Sequence, residues 1–231
     1  MQYPQIAVFA DGTKDGGGSG FANLVMASRR GILEAKIAGV ICCNENGGVR
    51  RHANTLGIPF MYLPGPYPTR KDSDERRLEL QRGIDAASTL YVTGLEADFV
   101  VYSGLLKLVR GLNPRTTCNI HPGPFPHTRG MYGHRVHEEV FRLKLPYSAV
   151  TMHFVTDEYD AMEGVFFQYP VFVGDAQSAD EVEGRVRAIE VAWQPYITNL
   201  VVSGAIKWDG KNRDSLRVPE GYTLHNTNLG A

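Results

Sequence analysis

Several familiar signatures are missing from this 231-residue chain. No apolar run approaches the roughly 18 residues that a membrane span requires. No charged n-region and apolar h-region precede the strand-like Gln5-Ile6-Ala7-Val8-Phe9-Ala10, so neither an anchor nor a targeting leader is expected. Charge of one sign is lacking as well. The 24 Lys+Arg and 25 Asp+Glu leave a net charge of −1, without an acidic tail or a basic stripe. That balance argues against nucleic acid or a membrane surface as partner and points to small molecules. Cysteine is scarce and odd in number: Cys42 and Cys43 share one apolar run and Cys118 lies in another. Buried thiols in a reducing cytosol fit this better than a disulfide framework. Repeats and low-complexity tracts are absent too. What remains, with 43% hydrophobic residues, is enough for one well-buried cytoplasmic domain and not for a second large one.

Apolar runs rich in Val and Ile predict strands near 5–10, 37–43, 58–62, 98–102, 115–121, 147–155 and 165–173. Segments of helical period fall between them, at about 20–31, 47–56, 73–93, 132–143 and 179–203, with Ser19, Asn46 and Ser73 as candidate caps. The alternation predicts an α/β fold of the doubly wound, Rossmann-like kind, with a mostly parallel sheet. The early strands read as buried on both faces. The run 147–155 alternates instead, which places it near an edge or reverses its direction, so the second half of the sheet is mixed. Prolines at 64, 66 and 68, and again at 122, 124 and 126, stiffen two connections. The polar segment from about Arg213 is expected to wrap the surface or be loosely held.

Glycine and histidine are unevenly placed. Gly12, Gly16, Gly17, Gly18 and Gly20 follow the first strand, and five of the 7 histidines fall between His121 and His153. In an open α/β sheet, ligands bind beyond the carboxyl ends of the strands, where these clusters sit. The segment Asp11-Gly12-Thr13-Lys14-Asp15-Gly16-Gly17-Gly18-Ser19-Gly20 is neither GxxxxGK[ST] nor a clean GxGxxG. Its glycines let backbone N–H groups converge on an anion at a helix start, as a phosphate cradle; the alternative is a flexible loop without a ligand. Asn119 and His121 in Asn119-Ile120-His121-Pro122 face the same side of an extended chain. An amide and an imidazolium so placed stabilise an oxyanion at a carbonyl; otherwise they tie down a loop. A carboxylate in Thr156-Asp157-Glu158-Tyr159-Asp160 orients and charges His121, raising its pKa, or else caps a turn. His134 and His137, at i and i+3, with His121, His153 and Asp160, also sketch a metal set. No HExxH spacing supports it, and no metal is assigned.

Taken together, Asn119-Ile120-His121-Pro122, Pro126, Gly130, His134-Arg135, the run Val150 to Asp160 and Pro170-Val171-Phe172-Val173-Gly174-Asp175 resemble the 10-formyltetrahydrofolate-dependent formyltransferases. The likeness covers about residues 5–208, and the last segment favours the phosphoribosylglycinamide formyltransferase branch. The resemblance implies a single formyltransferase domain over 1–210, with a phosphate-binding half to about 100, a folate-binding and catalytic half beyond it, and a polar tail over 211–231. It implies formyl transfer from 10-formyltetrahydrofolate, as co-substrate, to the amine of glycinamide ribonucleotide in purine biosynthesis. Asn119, His121 and Asp160 would be catalytic, with His121 held protonated, and His153 supporting. Gly16, Gly17, Gly18, Ser19 and Arg187 would take the phosphate and Glu190 the ribose. Leu105, Leu106, Lys107, Leu108, Val109 and Thr156 would meet the pterin, and Arg70 or Lys71 the folate tail. His134, His137 and the remaining clustered histidine read as bystanders.

The chain departs from that pattern in four places, one of them Tyr132-Gly133 before His134, where the family tends to have His-Thr. The glycine loop is longer and carries Asp11, Lys14 and Asp15. Gly123-Pro124-Phe125-Pro126 replaces the usual segment after the Asn-x-His-Pro turn. Ala161 and Met162 stand where two glycines commonly follow the catalytic Asp, which limits backbone freedom there. The alternatives are a formyltransferase acting on another amine, such as an amino-sugar nucleotide, a 10-formyltetrahydrofolate hydrolase, and a non-catalytic nucleotide- or folate-binding module. The hydrolase is expected to carry an N-terminal regulatory domain, and methionyl-tRNA formyltransferase a C-terminal one. Small-molecule substrates are the expected partners, and a homodimer is left open.

Overall fold

Apolar runs with no polar alternation need cover on both faces. In the computed structural model, which describes residues 3–12 and 16–224, they form the middle of a seven-stranded sheet. β1 (Gln5–Phe9) pairs in parallel with β2 (Lys36–Cys42) and β4 (Phe99–Tyr102). β3 (Phe60–Tyr62) extends the sheet beyond β2, and β5 (Thr117–His121) runs parallel beside β4. β6 (Tyr147–Phe154) is antiparallel both to β5 and to β7 (Val165–Phe172), giving the order β3-β2-β1-β4-β5-β6-β7. The mostly parallel α/β sheet with one reversed strand in its second half is thus as expected. β6 changes direction but is not an edge, because β7 covers it.

β1 shows how the sheet is buried. Ile6, Val8 and Ala10 enter the larger core, whereas Ala7 and Phe9 point to the other side, and all five are 0% exposed. α1 (Ser19–Arg29), α2 (Gly48–Leu56), α4 (His134–Arg142) and α5 (Ala179–Val202) contribute Phe21, Leu24, Val49, Val140, Val182 and Val186 to the larger core. α3 (Asp74–Gly94) packs Ile84 against the opposite face. Ser73 caps α3 as predicted, accepting from Arg76 N at 3.2 Å. The other two predicted caps shift by one residue. Gly18 and Gly47 occupy the cap positions of α1 and α2, where the backbone has conformations that Ser19 and Asn46 would strain to adopt.

Of the two readings of the polar tail, its described part fits the wrapping one. Trp208 is buried in the larger core, and Leu216, Val218, Tyr222 and Leu224 pack against it. The Tyr222 hydroxyl donates to Phe166 O at 2.9 Å. Its apolar residues are spaced singly among turn residues, so no run announces them. Thr13, Lys14 and Asp15 of the glycine loop, and the tail beyond 224, lie outside the described residues. Among the described residues no helix is long and apolar enough to cross a membrane.

Candidate active site

The strand order reverses between β1 and β4, and a cleft of about 380 Å³ opens over the carboxyl ends of β1, β4 and β5. Such a switch point splays the connecting loops apart, so a ligand can lie across the strand ends.

One end of the cleft is built for an anion. Gly17 and Gly18 have φ of 90° and 83°, in the left-handed region that favours glycine, and Gly18 leads into α1. A Cβ on Gly18 would sit 2.9 Å from Val49 Cα, so the loop can approach α2 this closely only as glycine. The free N–H groups and positive dipole end of α1 therefore face the cleft beside Ser19. Arg187 Nη2 donates to Ser19 Oγ at 2.9 Å, fixing a guanidinium at the same end. Glu183, Arg187, Glu190 and Gln194 recur along one face of α5 and line the cleft together. Burial pushes the Glu190 carboxyl up to about 7, against the pull of Arg187. Asp11, in the glycine segment, has a different task. Its carboxylate accepts from Cys43 N at 3.1 Å and Leu106 N at 3.2 Å, tying together the loops after β2 and β4.

The other end holds the histidines. Asn119 on β5 is registered opposite His153 on β6, and Asn119 Nδ2 stands 3.1 Å from His153 Nε2. His153 Nδ1 donates to Phe154 O at 3.0 Å, which fixes that ring. Asp160 places Oδ1 3.4 Å from His153 Nε2 and Oδ2 3.9 Å from His121 Nδ1, and accepts from Gly130 N at 2.7 Å. The Phe125 ring packs on both imidazoles, with centroids 4.9 Å and 5.5 Å away. Asn119, His121, His153 and Asp160 are thus brought together, as the family resemblance implied. Asp160 has φ 49°, while Ala161 has an ordinary φ of −61° and Met162 lies in a short 3-10 turn. The left-handed residue of this loop is the aspartate itself, so the missing glycines are not needed in this conformation.

The charge state differs from expectation. Burial pushes His121 down to about 4, outweighing the opposite pull of Asp160, so the ring is neutral at pH 7 rather than protonated. A sequence motif carries no measure of burial, and His121 is only 4% exposed. Burial raises the Asp160 carboxyl, but its close contacts with the His153 and His121 imidazoles and the Gly130 N–H outweigh it and hold it below the ordinary range. His137, read from sequence as a bystander, is 4% exposed and lines the cleft, because it shares a helix face with Val140. Burial lowers it to about 4 as well.

These shifts have a sign. From pH 6.5 down to about 4 the unfolded chain protonates His121 and His137 while the folded chain resists, so stability falls with pH. Between 4.5 and about 7 Glu190 acts in the opposite sense, because its folded form holds the proton more tightly. With two groups against one, urea midpoints are expected to rise from pH 4 to pH 6.5.

The remaining predicted site residues separate. Leu105 and Leu106 line the cleft, but Val109 is turned into the smaller core and Lys107 Nζ sits 5.0 Å over the Tyr67 ring. Leu108 offers its carbonyl to Gln81 Nε2 at 2.9 Å. Thr156 holds its own turn, accepting from Glu158 N at 3.2 Å, and faces a second cavity, while Arg70 is exposed away from the cleft lining. The metal set sketched from sequence is split: His134 lies with Glu183, Nδ1 to Oε2 2.7 Å, and Asp180, apart from His121, His153 and Asp160. Ser103, Thr128 and Gln194 were not legible as site residues. The Ser103 hydroxyl donates to Gln194 Oε1 at 3.2 Å on the cleft floor, and each is an unremarked residue in its own segment.

Known proteins similar to this chain carry formyl transfer or deformylation in their names. The chain is 31% identical over 192 residues to "Phosphoribosylglycinamide formyltransferase, chloroplastic" of Vigna unguiculata, spanning 79% of this chain and 55% of that protein. It is 28% identical over 210 residues to the protein of the same name from Arabidopsis thaliana, covering 88% of this chain and 67% of the relative. A formyltetrahydrofolate deformylase of Mycobacterium bovis is 24% identical over 83% of this chain and 54% of its own length. The chain thus spans little more than half of some of the curated relatives it matches. The fold superimposes on glycinamide ribonucleotide transformylase 1 from Symbiobacterium toebii with a TM-score of 0.78 at 22% identity, covering 94% of this chain and 95% of that one. Residues 5–198 match the formyl transferase family throughout, and with the Asn-x-His-Pro turn and its aspartate in one cleft, this chain belongs to that family.

Proposed function

We propose that this protein is a cytoplasmic enzyme that transfers the formyl group of 10-formyltetrahydrofolate to the amine of glycinamide ribonucleotide. The observation that carries the reading is the joining, in one cleft, of an anion-binding end to an oxyanion-and-proton end. Gly17, Gly18, Ser19 and Arg187 hold the acceptor's phosphate through N–H donors and a guanidinium. Glu190 accepts from ribose hydroxyls. The amine then reaches the region of Asn119, His121 and Asp160.

The donor set suits a reduced folate carrying a formyl group. Leu105 and Leu106 supply an apolar wall, and the formyl oxygen needs donors as negative charge develops on it. Asn119 Nδ2 has two hydrogens and spends only one on His153. A neutral His121 supplies an N–H donor without carrying a full charge. Asp160, kept ionised, accepts the proton lost by the attacking amine and passes it toward the departing folate nitrogen.

The test is to follow tetrahydrofolate release from 10-formyltetrahydrofolate with glycinamide ribonucleotide, with an amino-sugar nucleotide, and with no acceptor. Turnover dependent on glycinamide ribonucleotide supports the reading. Acceptor-independent turnover would make the protein a hydrolase, and turnover with the sugar alone would assign another acceptor. Arg187→Ala is expected to raise KM for the phosphorylated acceptor by about tenfold or more, the loss of one charged hydrogen bond, with kcat little changed. An unchanged KM would remove Arg187 from the phosphate site.

A further inference from the structure

Thr128 lies in the turn after β5, is 0% exposed, and appears in none of the motifs that mark the site. Its Oγ1 stands 2.9 Å from His121 Nε2. We propose that Thr128 is a positioning residue that fixes the neutral His121 ring in the tautomer with its proton on Nδ1. The inference rests on the formyl-transfer reading for its catalytic consequence, but not for its structural content.

Three observations assign the proton. A threonine hydroxyl has one hydrogen and here two neighbours to receive it, His121 Nε2 at 2.9 Å and Pro124 O at 3.1 Å. Pro124 O already accepts the Thr128 backbone N–H at 3.1 Å, whereas a bare Nε2 in this buried site would otherwise have no hydrogen. On the opposite side of the ring, Asp160 Oδ2 faces Nδ1 at 3.9 Å. A carboxylate favours a proton on the nitrogen that faces it and repels a lone pair there. The hydroxyl therefore donates to Nε2, and Nδ1 bears the hydrogen.

The consequence is chemical. At 3.9 Å the Nδ1–H is too far from Asp160 for a good direct hydrogen bond, so it remains available to an oxygen that enters between them. A neutral imidazole in the other tautomer would present a lone pair to the developing oxyanion. The titratable groups that face His121 are Asp160 in the loop after β6, His153 on β6 and His137 on α4; of these only Asp160 favours a proton on the ring, and the Thr128 backbone favours one as well. The same turn sends Gly130 N–H to Asp160 at 2.7 Å, so one short segment orients both partners.

The test combines nitrogen NMR of histidine-labelled protein near pH 7, with His121 assigned by comparison with His121→Asn, and steady-state kinetics. In the native protein His121 is expected to show a protonated Nδ1 and a bare Nε2. Thr128→Val, which keeps the shape and removes the hydroxyl, should move the ring toward the Nε2–H form. It should lower kcat by roughly 10- to 100-fold, with KM for both substrates within about twofold. Thr128→Ser should restore both signals. An Nε2–H ring in the native protein overturns the proposal whatever the variants do, as does a valine variant with unchanged tautomer or unchanged kcat. Should the native protein transfer no formyl group to any acceptor, the functional reading fails, and the NMR spectrum alone decides the role of Thr128.

Discussion

Asp160→Asn is expected to lower kcat by about three orders of magnitude while leaving affinity for the phosphorylated acceptor within about twofold. Asparagine keeps the size of the side chain and an oxygen to accept from Gly130 N–H, so the loop retains its anchor. What it loses is negative charge at the one carboxylate, among the described residues, within 4 Å of both His121 and His153. Without it, the proton released by the attacking amine loses its carboxylate acceptor, and burial already keeps His121 at about 4. The anion-binding end lies across the cleft on α1 and α5, where the substitution removes no contact. Single-turnover kinetics together with calorimetric titration separate the two quantities. A kcat within tenfold of the native value would take Asp160 out of the proton path.

Phe154→Ala should produce the largest loss of stability, about 3–5 kcal/mol, from transfer and residual cavity together. The ring is 0% exposed and packs against Phe166 and Trp208, with centroids 4.8 Å and 5.7 Å away. It thereby joins β6, β7 and the segment after α5, so no single neighbour can move in to fill the space. Urea unfolding should show a lower midpoint at an unchanged slope. Strand alternation links this core position to chemistry: Phe154 points into the core, the preceding His153 faces the site, and Phe154 O receives the His153 Nδ1 proton. A loss below about 1 kcal/mol would show that the ring is not wedged as its contacts indicate.

The strands at the middle of the sheet were legible because their apolar runs leave no other arrangement; β1, β2 and β4 have no polar face to expose. The trio Asn119, His121 and Asp160 was legible because a tight motif and a fixed spacing carry it. What escaped sequence reasoning depends on distance through space. Asp11 looks like a loop acid until the ends of β2 and β4 lie beside it. Thr128 gains meaning from the fold of its turn, and Gln194 from the strand that brings Ser103 to it. The charge on His121 was misjudged for the same reason: a motif shows that a carboxylate is near, but not how much water has been removed. The choice between a wrapping and a loosely held tail was not legible, because isolated apolar residues have no period to detect.

The position of β1 beside β4 has a consequence for how the cleft comes into being. Some 90 residues, comprising β2, β3 and the first three helices, separate these neighbouring strands in the chain. The glycine loop and the Asn119–His121 turn therefore cannot meet until that long loop has closed, a step whose entropy is recovered only when the central pairing forms. Neither end is complete in an early fragment: the glycine loop meets Arg187 only once α5 is in place, and His121 meets Asp160 only once the loop after β6 is in place. A ligand spanning the cleft bridges the last contacts made and should stabilise the whole molecule by mass action rather than one lobe of it.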